Sequence, residues 1–390
     1  MTQVAYASRI LHTPVESVDN AVLVVEDGRI VKLGTRSGME LPSAAAARDF
    51  GDGVIAPGFV DIHVHGSAGY DVMQADGGQR GNFEQFLARH GVTAYYPTTV
   101  AAPLAVTEGA LERLADAIEG AAHEKDGRGG RAQPLGIHLE GPFLSPARCG
   151  VHAPADLLSP SVEMFDKFWQ AARGHIRLIT IAPELEGALE VIAEATKRGV
   201  SVSLGHSDAD LESTRRAVAA GARHATHTFN AMRPLRHRDP GIVGEVLTNL
   251  SLTADVIADG VHVDPSVVQL FLNAKGAEGA VLITDATAAT GMPNGKYQLG
   301  TLEVEVKDGR VLRDGKLAGS VLTMDRAVRN AMTFAGWSLK QTVQIATSNP
   351  ARVAGAQNKG VLKPGVDADF VVLSATGEIR ATVIRGKVLQ

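Results

Sequence analysis

Residues 178–206 read LITIAPELEGALEVIAEATKRGVSVSLGH, and they contain the unit from which the fold is predicted. The apolar run at 178–182 predicts a buried strand, and the run at 200–206 predicts a second one. Between them, residues 188–199 have apolar side chains at helical spacing and end in Gly199. Two buried strands joined by a helix are typical of a parallel sheet.

The same alternation of strand and helix repeats along the middle of the chain. The candidate strands lie at residues 61–65, 95–99, 137–140, 178–182, 200–206, 225–227, 252–257 and 280–285. The candidate helices lie at residues 107–123, 188–199, 210–221 and 264–276, with two final helices at 324–336 and 338–347. Eight strand–helix units predict an α/β fold with a (β/α)8 TIM-like barrel.

The two ends of the chain have a different pattern. Residues 20–34, NAVLVVEDGRIVKLG, read as two strands joined by a turn, and residues 360–390 contain two more β-rich runs around a Thr-Gly turn. Neither end is long enough for a core of its own, so we expect both to form one small β-sandwich domain. The predicted domains are residues 1–56 and 355–390 for the two parts of the β domain, and 57–354 for the barrel, with a β insertion at 296–319.

Composition excludes several classes of protein. The chain has 390 residues, of which 45% are hydrophobic and 21% charged, and these are values of a globular protein rather than a disordered one. The net charge of -5 disfavours binding to nucleic acid or to anionic lipid, and no apolar run is long enough to span a membrane. The single cysteine, Cys149, cannot form an internal disulfide, and no secretory signal is recognised, so we expect a cytoplasmic protein.

Metal-ligating residue types lie at the predicted carboxyl ends of the strands, where barrel enzymes carry their catalytic groups. His63 and His65 are two residues apart in a strand and therefore project to the same face. Glu140, His206 and His227 follow three other strands. Each could be a hydrogen-bonded core residue, but together they form a nitrogen and oxygen set suited to a divalent metal.

Two further residues at these strand ends suggest hydrolysis. Asp285 follows strand eight, where it either caps a turn or acts as the general base that takes a proton from a metal-activated water. His262 follows strand seven, where it either donates a hydrogen bond to a substrate carbonyl or is a buried structural imidazole.

A cationic loop follows His227 in a protein that is acidic overall. It carries Arg233, Arg236, His237 and Arg238, and it suggests an anionic substrate unless it is a solvated loop balanced by Asp239. No Walker loop or dinucleotide fingerprint follows a suitable strand, so nucleotide chemistry has no support. Cys149 has no obvious activating base, and we interpret it as a loop residue rather than a nucleophile.

With these residues assembled, the chain resembles the amidohydrolase superfamily, and within it the N-acetylglucosamine-6-phosphate deacetylase family, over nearly its full length. The motifs that carry the resemblance are PGFVDIHVHG, HLEGPF, LGHSDA, THTFNAM, DPG, DGVHV, LITDAT and LAGS. The resemblance implies that Glu140, His206 and His227 bind one divalent metal. It also implies that His63 and His65 help bind a second metal that shares Glu140, and that Asp285 is the catalytic acid and base. Zinc is the favoured metal, one or two per subunit, with iron, manganese, cobalt or cadmium as alternatives.

The resemblance also implies a set of substrate contacts. Arg238 is expected to meet the sugar phosphate across the interface of a homodimer. In the motif PARCGVHAP, Ala153 stands where the family often has Asn. The shared ligand is a Glu and not the carboxylated Lys of dihydroorotase-like and urease-like relatives. The other expected substrate-binding residues are Val151, His152, Asn230, Ala231, His262, Leu317, Ala318 and Gly319.

The expected reaction is hydrolysis of N-acetyl-D-glucosamine 6-phosphate to D-glucosamine 6-phosphate and acetate. Three alternatives remain open from the sequence. They are the same reaction on N-acetylgalactosamine 6-phosphate, another amidohydrolase activity such as that of a D-aminoacylase or an adenine deaminase-like enzyme, and a metal-free barrel that acts as a scaffold or regulator.

Overall fold

The computed structural model describes residues 3–39, 46–124 and 130–389. The strands of this part of the chain are short, and those in the middle alternate with helices. In chain order the strands are β1 Gln3–His12, β2 Ser17–Glu26, β3 Arg29–Thr35, β4 Ala46–Asp49, β5 Val54–Pro57, β6 Phe59–Val64, β7 Gly66–Ser67, β8 Tyr70–Asp71, β9 Val92–Thr99, β10 Gln133–Pro134, β11 Ile137–Glu140, β12 Ile176–Ile181, β13 Ser201–Leu204, β14 His224–Ala225, β15 Ala254–Ile257, β16 Ala280–Ile283, β17 Gly295–Leu299, β18 Leu302–Lys307, β19 Arg310–Arg313, β20 Lys316–Leu317, β21 Phe370–Leu373, β22 Ile379–Ile384 and β23 Lys387–Leu389.

Five of the helices in the described residues begin with a side-chain cap. The Asp210 side chain accepts a hydrogen bond from the Ser213 amide at the start of one of them, and Gly221 ends the same helix. No helix in the described residues is long and apolar enough to cross a membrane. In chain order the helices are α1 Gly77–Arg89, α2 Leu104–His123, α3 Val162–Ala171, α4 Ala188–Lys197, α5 Leu211–Ala220, α6 Gly241–Thr248, α7 Pro265–Gly279, α8 Met324–Ala335, α9 Leu339–Ala346 and α10 Ser348–Val353.

Parallel strands form the centre of the molecule. Strands β6, β9, β11, β12, β13 and β14 pair in that order, and β15 pairs in parallel with β16. Hydrogen bonds at the strand ends connect the two groups: the Thr228 amide donates to the Asp255 carbonyl at 2.9 Å, and the Asp285 amide donates to the His63 carbonyl at 2.9 Å. The fold is therefore α/β with a curled parallel sheet.

The predicted sixth strand ends earlier than the sequence suggested. Pairing stops at Ala225, whereas the sequence places the strand at residues 225–227. His227 has a φ of 31°, which lies outside the extended region and turns the chain away from the sheet. The strand is therefore shorter, and the His227 side chain projects from the turn that follows it.

Strands from both ends of the chain share a second sheet. Its order is β23, β22, β21, β5, β1, β2 and β3, and β4 pairs with β1. The antiparallel pairing of β21 with β5 joins the carboxyl-terminal strands to the amino-terminal ones. The turn between β2 and β3 uses Asp27 and Gly28 at φ values of 48° and 80°, as the sequence predicts. The division of the chain into domains, with its boundaries, stays a prediction.

Strands β17–β20 form an antiparallel sheet inserted after β16. Its first turn is tied to β8, because the Asp71 carboxylate accepts a hydrogen bond from the Gly300 amide at 2.8 Å. Its third strand reaches the loop after β11, where the Arg313 guanidinium donates to the Val151 carbonyl at 2.8 Å. The inserted sheet thus lies over the carboxyl ends of the first three parallel strands.

Candidate active site

The carboxyl ends of five parallel strands bring the predicted ligands and Asp285 together. His63 and His65 come from β6 and its end, Glu140 ends β11, and the others lie in the turns after β13, β14 and β16. The turn residues His206, His227 and Asp285 have φ values of 47°, 31° and 50°. Residues other than glycine seldom adopt such φ values, and those that do cluster at functional sites.

The first ligand group consists of Glu140, His206 and His227. The His206 and His227 Nε2 atoms lie 3.0 Å apart, and they lie 3.2 and 3.1 Å from Glu140 Oε1. All three side chains are buried. Donor atoms bound about 2.1 Å from a tetrahedral zinc ion lie about 3.4 Å from one another. The spacing of this group therefore fits a divalent metal.

The second group consists of His63, His65 and Asp285, and Glu140 joins it to the first. The His65 Nε2 atom lies 3.1 Å from Asp285 Oδ1 and 3.4 Å from Glu140 Oε2. The His63 Nε2 atom lies 3.2 Å from that of His65 and 3.4 Å from Glu140 Oε1. In each group the donor atoms lie within 4.8 Å of one another. Glu140 can therefore face two neighbouring cations.

The electrostatics of this cluster favour a cation at its centre. Burial opposes a charged ring at His65, but the contacts with Asp285 and Glu140 outweigh it and raise the pKa to about 10. Burial would also raise the pKa of Asp285, but the contact with His65 and the charge of His63 lower it to about 2. The pKa of Glu140 is likewise held well below its usual value. Carboxylates that stay ionised in a buried place need positive charge beside them, which a divalent metal supplies.

Two of the ligand rings are oriented for metal binding by main-chain carbonyls. The Nδ1 atoms of His65 and His206 lie 2.9 and 3.0 Å from the carbonyls of Thr98 and Arg148. A carbonyl accepts only, so Nδ1 carries a proton in each ring, and Nε2 faces the cluster and can bind a metal once it carries no proton. The donor atoms and their spacing fit a metal. The roles of these residues as ligands stay predictions.

A cavity beside the cluster encloses about 570 Å³ that no protein atom fills, part of it open to solvent. Most of the predicted substrate-binding residues line it, together with most residues of the two ligand groups. Ala318 is buried and does not line it, and Arg238 lies outside it on an exposed turn at residues 236–239. The lining residues are His65, Val100, Glu140, Gly150, Val151, His152, His206, His227, Asn230, Ala231, His262, Asp285, Leu299, Leu317 and Gly319.

Two histidines in this cavity have defined hydrogen-bonding roles. The Ala101 amide donates to His152 Nδ1 at 3.1 Å, so the ring proton is on Nε2, 3.6 Å from Glu140 Oε2. His262 Nδ1 lies 2.7 Å from the carboxylate of Asp259 and donates to it. His262 can therefore donate to a substrate carbonyl from Nε2 only when both ring nitrogens carry a proton, and a neutral ring would accept there.

Sequence reasoning missed several residues of the site. Val100, Gly150 and Leu299 line the cavity, and a side chain at Gly150 would meet the His206 ring at 2.9 Å. Asp61 and Asp255 contact the backbone of two predicted ligands. The alternation in DIHVH puts Asp61 on the same face as His63, and this signal was available. No sequence signal marks the others, since they meet the site through tertiary contacts.

The chain is similar in sequence to known amidohydrolases. The amidohydrolase family model matches residues 54–389. The chain is 37% identical to N-acetylglucosamine-6-phosphate deacetylase of Bacillus subtilis, over 96% of this chain and 93% of that protein. It is 37% identical to N-acetylgalactosamine-6-phosphate deacetylase of Escherichia coli O157:H7, over 99% of each.

A solved structure resembles the whole fold. It is that of a Mycobacterium smegmatis N-acetyl-D-glucosamine-6-phosphate deacetylase variant in complex with N-acetyl-D-glucosamine 6-phosphate. The two structures superpose with a TM-score of 0.91 at 33% identity, over 100% of this chain and 99% of that one. The chain belongs to the amidohydrolase family, where it is similar to the amino-sugar-phosphate deacetylases.

Proposed function

We propose that the protein hydrolyses N-acetyl-D-glucosamine 6-phosphate to D-glucosamine 6-phosphate and acetate. The observation that carries this proposal is the convergence of four histidines, one Glu and Asp285 in one cluster, five of whose six residues line a cavity at the carboxyl ends of the parallel strands. Relatives of that name, 37% identical over almost their full length, support the substrate.

We further propose that the eight parallel strands β6, β9 and β11–β16 close into a (β/α)8 barrel, and that the terminal strands form a small β-sandwich domain. The hydrogen bonds from Thr228 to Asp255 and from Asp285 to His63 support closure. The boundaries proposed for the two parts of the β domain are residues 1–56 and 355–390.

The metal of this site would be held by Glu140, His206 and His227, with His63 and His65 as ligands of a second ion that Glu140 shares. When bound, a divalent ion lowers the pKa of a nearby water towards about 7 and polarises a carbonyl. Zinc suits imidazole and carboxylate donors in a four-coordinate site, and it is the ion that we propose.

Asp285 moves the proton in the proposed reaction. Its pKa of about 2 keeps the carboxylate ionised at neutral pH, so Oδ1 can accept the proton of the attacking water. The same oxygen then delivers this proton to the sugar nitrogen as the amide C–N bond breaks. The turn that holds it is fixed from both sides, because the Asp285 amide donates to the His63 carbonyl and the Asp285 carbonyl accepts from the Ser320 amide.

The remaining cavity residues would bind and orient the substrate. His262, whose Nδ1 donates to the Asp259 carboxylate, would donate from Nε2 to the acetyl carbonyl when both ring nitrogens carry a proton. His152 carries a proton on Nε2 and offers it to a sugar hydroxyl or to Glu140. Asn230, Ala231 and Gly319 line the same cavity and would contact the sugar.

Arg238 is proposed to bind the phosphate from the other subunit of a homodimer. Its side chain is exposed and does not line the cavity of its own chain, which supports a contact made across an interface. A guanidinium suits a phosphate because it can donate two parallel hydrogen bonds. With a single cysteine and no disulfide to form, the protein fits a reducing cytoplasm.

Acetate release from four sugars tests the proposed function. N-acetylglucosamine 6-phosphate should be the best substrate, ahead of N-acetylgalactosamine 6-phosphate and far ahead of the two unphosphorylated sugars. A higher kcat/KM for the galactosamine compound would reassign the substrate to that epimer. Acetate release from none of the four would contradict the function.

A further inference from the structure

The four ligand histidines of the proposed metal site are held in two different ways. The rings of His65 and His206 are fixed by main-chain carbonyls at Nδ1. The Nδ1 atoms of His63 and His227 are buried and have no hydrogen-bond partner among the described residues. Metal-binding histidines usually donate from their second nitrogen to a carboxylate or carbonyl, which fixes the ring. His63 and His227 therefore need another means of orientation.

Buried carboxylates contact the backbone of these same two histidines. The His227 amide donates to Asp255 Oδ1, and the His63 amide donates to Asp61 Oδ1 at 3.3 Å. Both aspartates are fully buried. The contact with Asp255 matters most, because His227 has a φ of 31°, in the left-handed region that residues other than glycine seldom adopt.

Each carboxylate is itself anchored by a second contact. Asp255 Oδ2 lies 2.9 Å from His224 Nε2, and His224 Nδ1 lies 2.8 Å from the Thr253 hydroxyl. Asp61 Oδ2 accepts a hydrogen bond from the Thr284 hydroxyl at 2.6 Å. Thr284 directly precedes Asp285, so the Asp61 carboxylate connects the first-strand ligands to the strand that carries the proposed acid and base.

We propose that Asp255 and Asp61 are positioning residues that orient His227 and His63 through their backbone amides, in place of the missing contacts at Nδ1. This inference rests on the metal site of the proposed function. A rotation of the peptide at His227 would swing Nε2 away from Glu140 and His206, to which it lies at 3.1 and 3.0 Å. Loss of either carboxylate should therefore weaken metal binding, although neither aspartate touches the metal or the substrate.

The test measures metal affinity directly. The full-length protein is freed of metal with a chelator, and Co²⁺ is titrated back in competition with a second chelator while its visible absorption is followed. Asp255→Ala removes both side-chain oxygens, the one that accepts from the His227 amide and the one beside the His224 ring. We expect a Co²⁺ affinity 10- to 100-fold lower and an altered absorption band. An affinity within twofold of the parent would overturn the role of Asp255.

Asp369 offers a matched control. It is buried, it accepts hydrogen bonds from the Arg385 amide and from Lys359 Nζ, and it directly precedes β21 in the sheet that the two chain ends share. Its hydrogen bonds involve none of the predicted ligands. Asp369→Ala should unfold at lower urea concentration and still bind Co²⁺ with an affinity within twofold of the parent. An equal loss of affinity in this variant would make the effect a general one of buried carboxylates and would overturn the proposal.

Two variants of Asp61 carry the test independently. Asn at this position keeps an oxygen for the His63 amide, and its NH₂ group can donate to the Thr284 hydroxyl, so the Co²⁺ affinity should stay within threefold. Asp61→Ala removes both contacts and should lower the affinity at least tenfold. Equal affinities would overturn the role of Asp61, and this pair decides alone if Asp255→Ala does not fold. A parent protein that takes up no Co²⁺ would contradict the metal site itself.

Discussion

Two cavities lie at opposite ends of the parallel strands, and they differ in size and in chemistry. The cavity at the carboxyl ends encloses about 570 Å³ beside six buried titratable side chains. The one at the amino ends of β13–β16 encloses about 1150 Å³ and is lined by three cations, Arg223, Lys275 and Arg352, with Glu278 as its one carboxylate. The smaller cavity is the one in which reactive groups converge.

The cations at the amino ends have partners in the ends of helices. The Arg223 guanidinium donates to the Val218 carbonyl at the end of α5. Lys275 Nζ donates to the Val246 and Asn249 carbonyls at the end of α6. Arg352 donates to a carbonyl at the end of α7. Helix carboxyl ends carry partial negative charge, so these side chains stabilise the scaffold.

The convergence of reactive side chains therefore identifies the site better than the volume of a cavity does. At the carboxyl ends, four histidines and two carboxylates lie in contact, and three of the six residues lie in turns with left-handed backbone angles. At the amino ends, each cation donates to carbonyls at the end of a different helix. We therefore expect variants at the carboxyl ends to change catalysis and variants at the amino ends to change stability.

Asp285→Asn should have the largest effect. An amide cannot take the proton of the attacking water, so we expect kcat to fall about 100- to 10,000-fold with substrate still bound. Acetate release and bound metal are measured on the same preparation, because Asp285 also lies in the second ligand group. Near-normal kcat in a metal-loaded variant would remove Asp285 from the role of acid and base.

Arg238→Gln should affect binding more than turnover. Losing a hydrogen bond between charged partners costs about 1.5–3 kcal/mol, which raises KM for the phosphorylated sugar about 10- to 100-fold. Arg236→Gln, on the same turn, is the control and should leave KM within threefold. An unchanged preference of Arg238→Gln for phosphorylated over plain N-acetylglucosamine would exclude Arg238 from phosphate binding.

Lys275→Met, at the amino ends, should leave catalysis unchanged and reduce stability. Two carbonyls at the end of α6 lose their donor, which costs about 1–3 kcal/mol of unfolding free energy in urea melts. Arg352 gives a graded comparison, because its side chain is exposed and Arg352→Gln should cost less unfolding free energy than Lys275→Met, about 0.5 kcal/mol. A tenfold loss of kcat in folded Lys275→Met would show that the amino ends take part in the reaction.

Lys275 should also produce a pH dependence of stability. Burial lowers its pKa from 10.5 to about 8, so between these pH values the unfolded chain binds more protons at this residue than the folded one. The contribution of Lys275 to unfolding free energy therefore rises as the pH increases from about 8 to about 10.5. The measurement is the difference between parent and Lys275→Met at pH 7.5 and pH 10. A difference that stays constant would contradict a buried amine.

The sequence was sufficient to predict which side chains come together at the candidate site. A strand places alternate residues on one face, so DIHVH predicts that His63 and His65 point the same way, and the repeat of strand and helix predicts that Glu140 and Asp285 lie at the same edge of the sheet. The structure brings all of them within contact distance.

Other features depend on contacts that no local pattern encodes. Asp255 contacts His227 because β15 lies beside the end of β14, and the sequence of neither strand predicts this placement. Leu299 reaches the cavity because the inserted sheet folds back over the strand ends. Strand β14 ends early because the backbone at His227 is left-handed, with a φ of 31°. Residues other than Gly, Asn and Asp seldom adopt this conformation, so the sequence gives no sign of it.

The most direct test of a metal-dependent deacetylase at the carboxyl ends is acetate release from N-acetylglucosamine 6-phosphate before and after metal removal. We predict that the chelator-treated protein releases no acetate, and that adding Zn²⁺ back restores the original rate. Undiminished acetate release from protein that retains less than a few per cent of one metal per chain would contradict it.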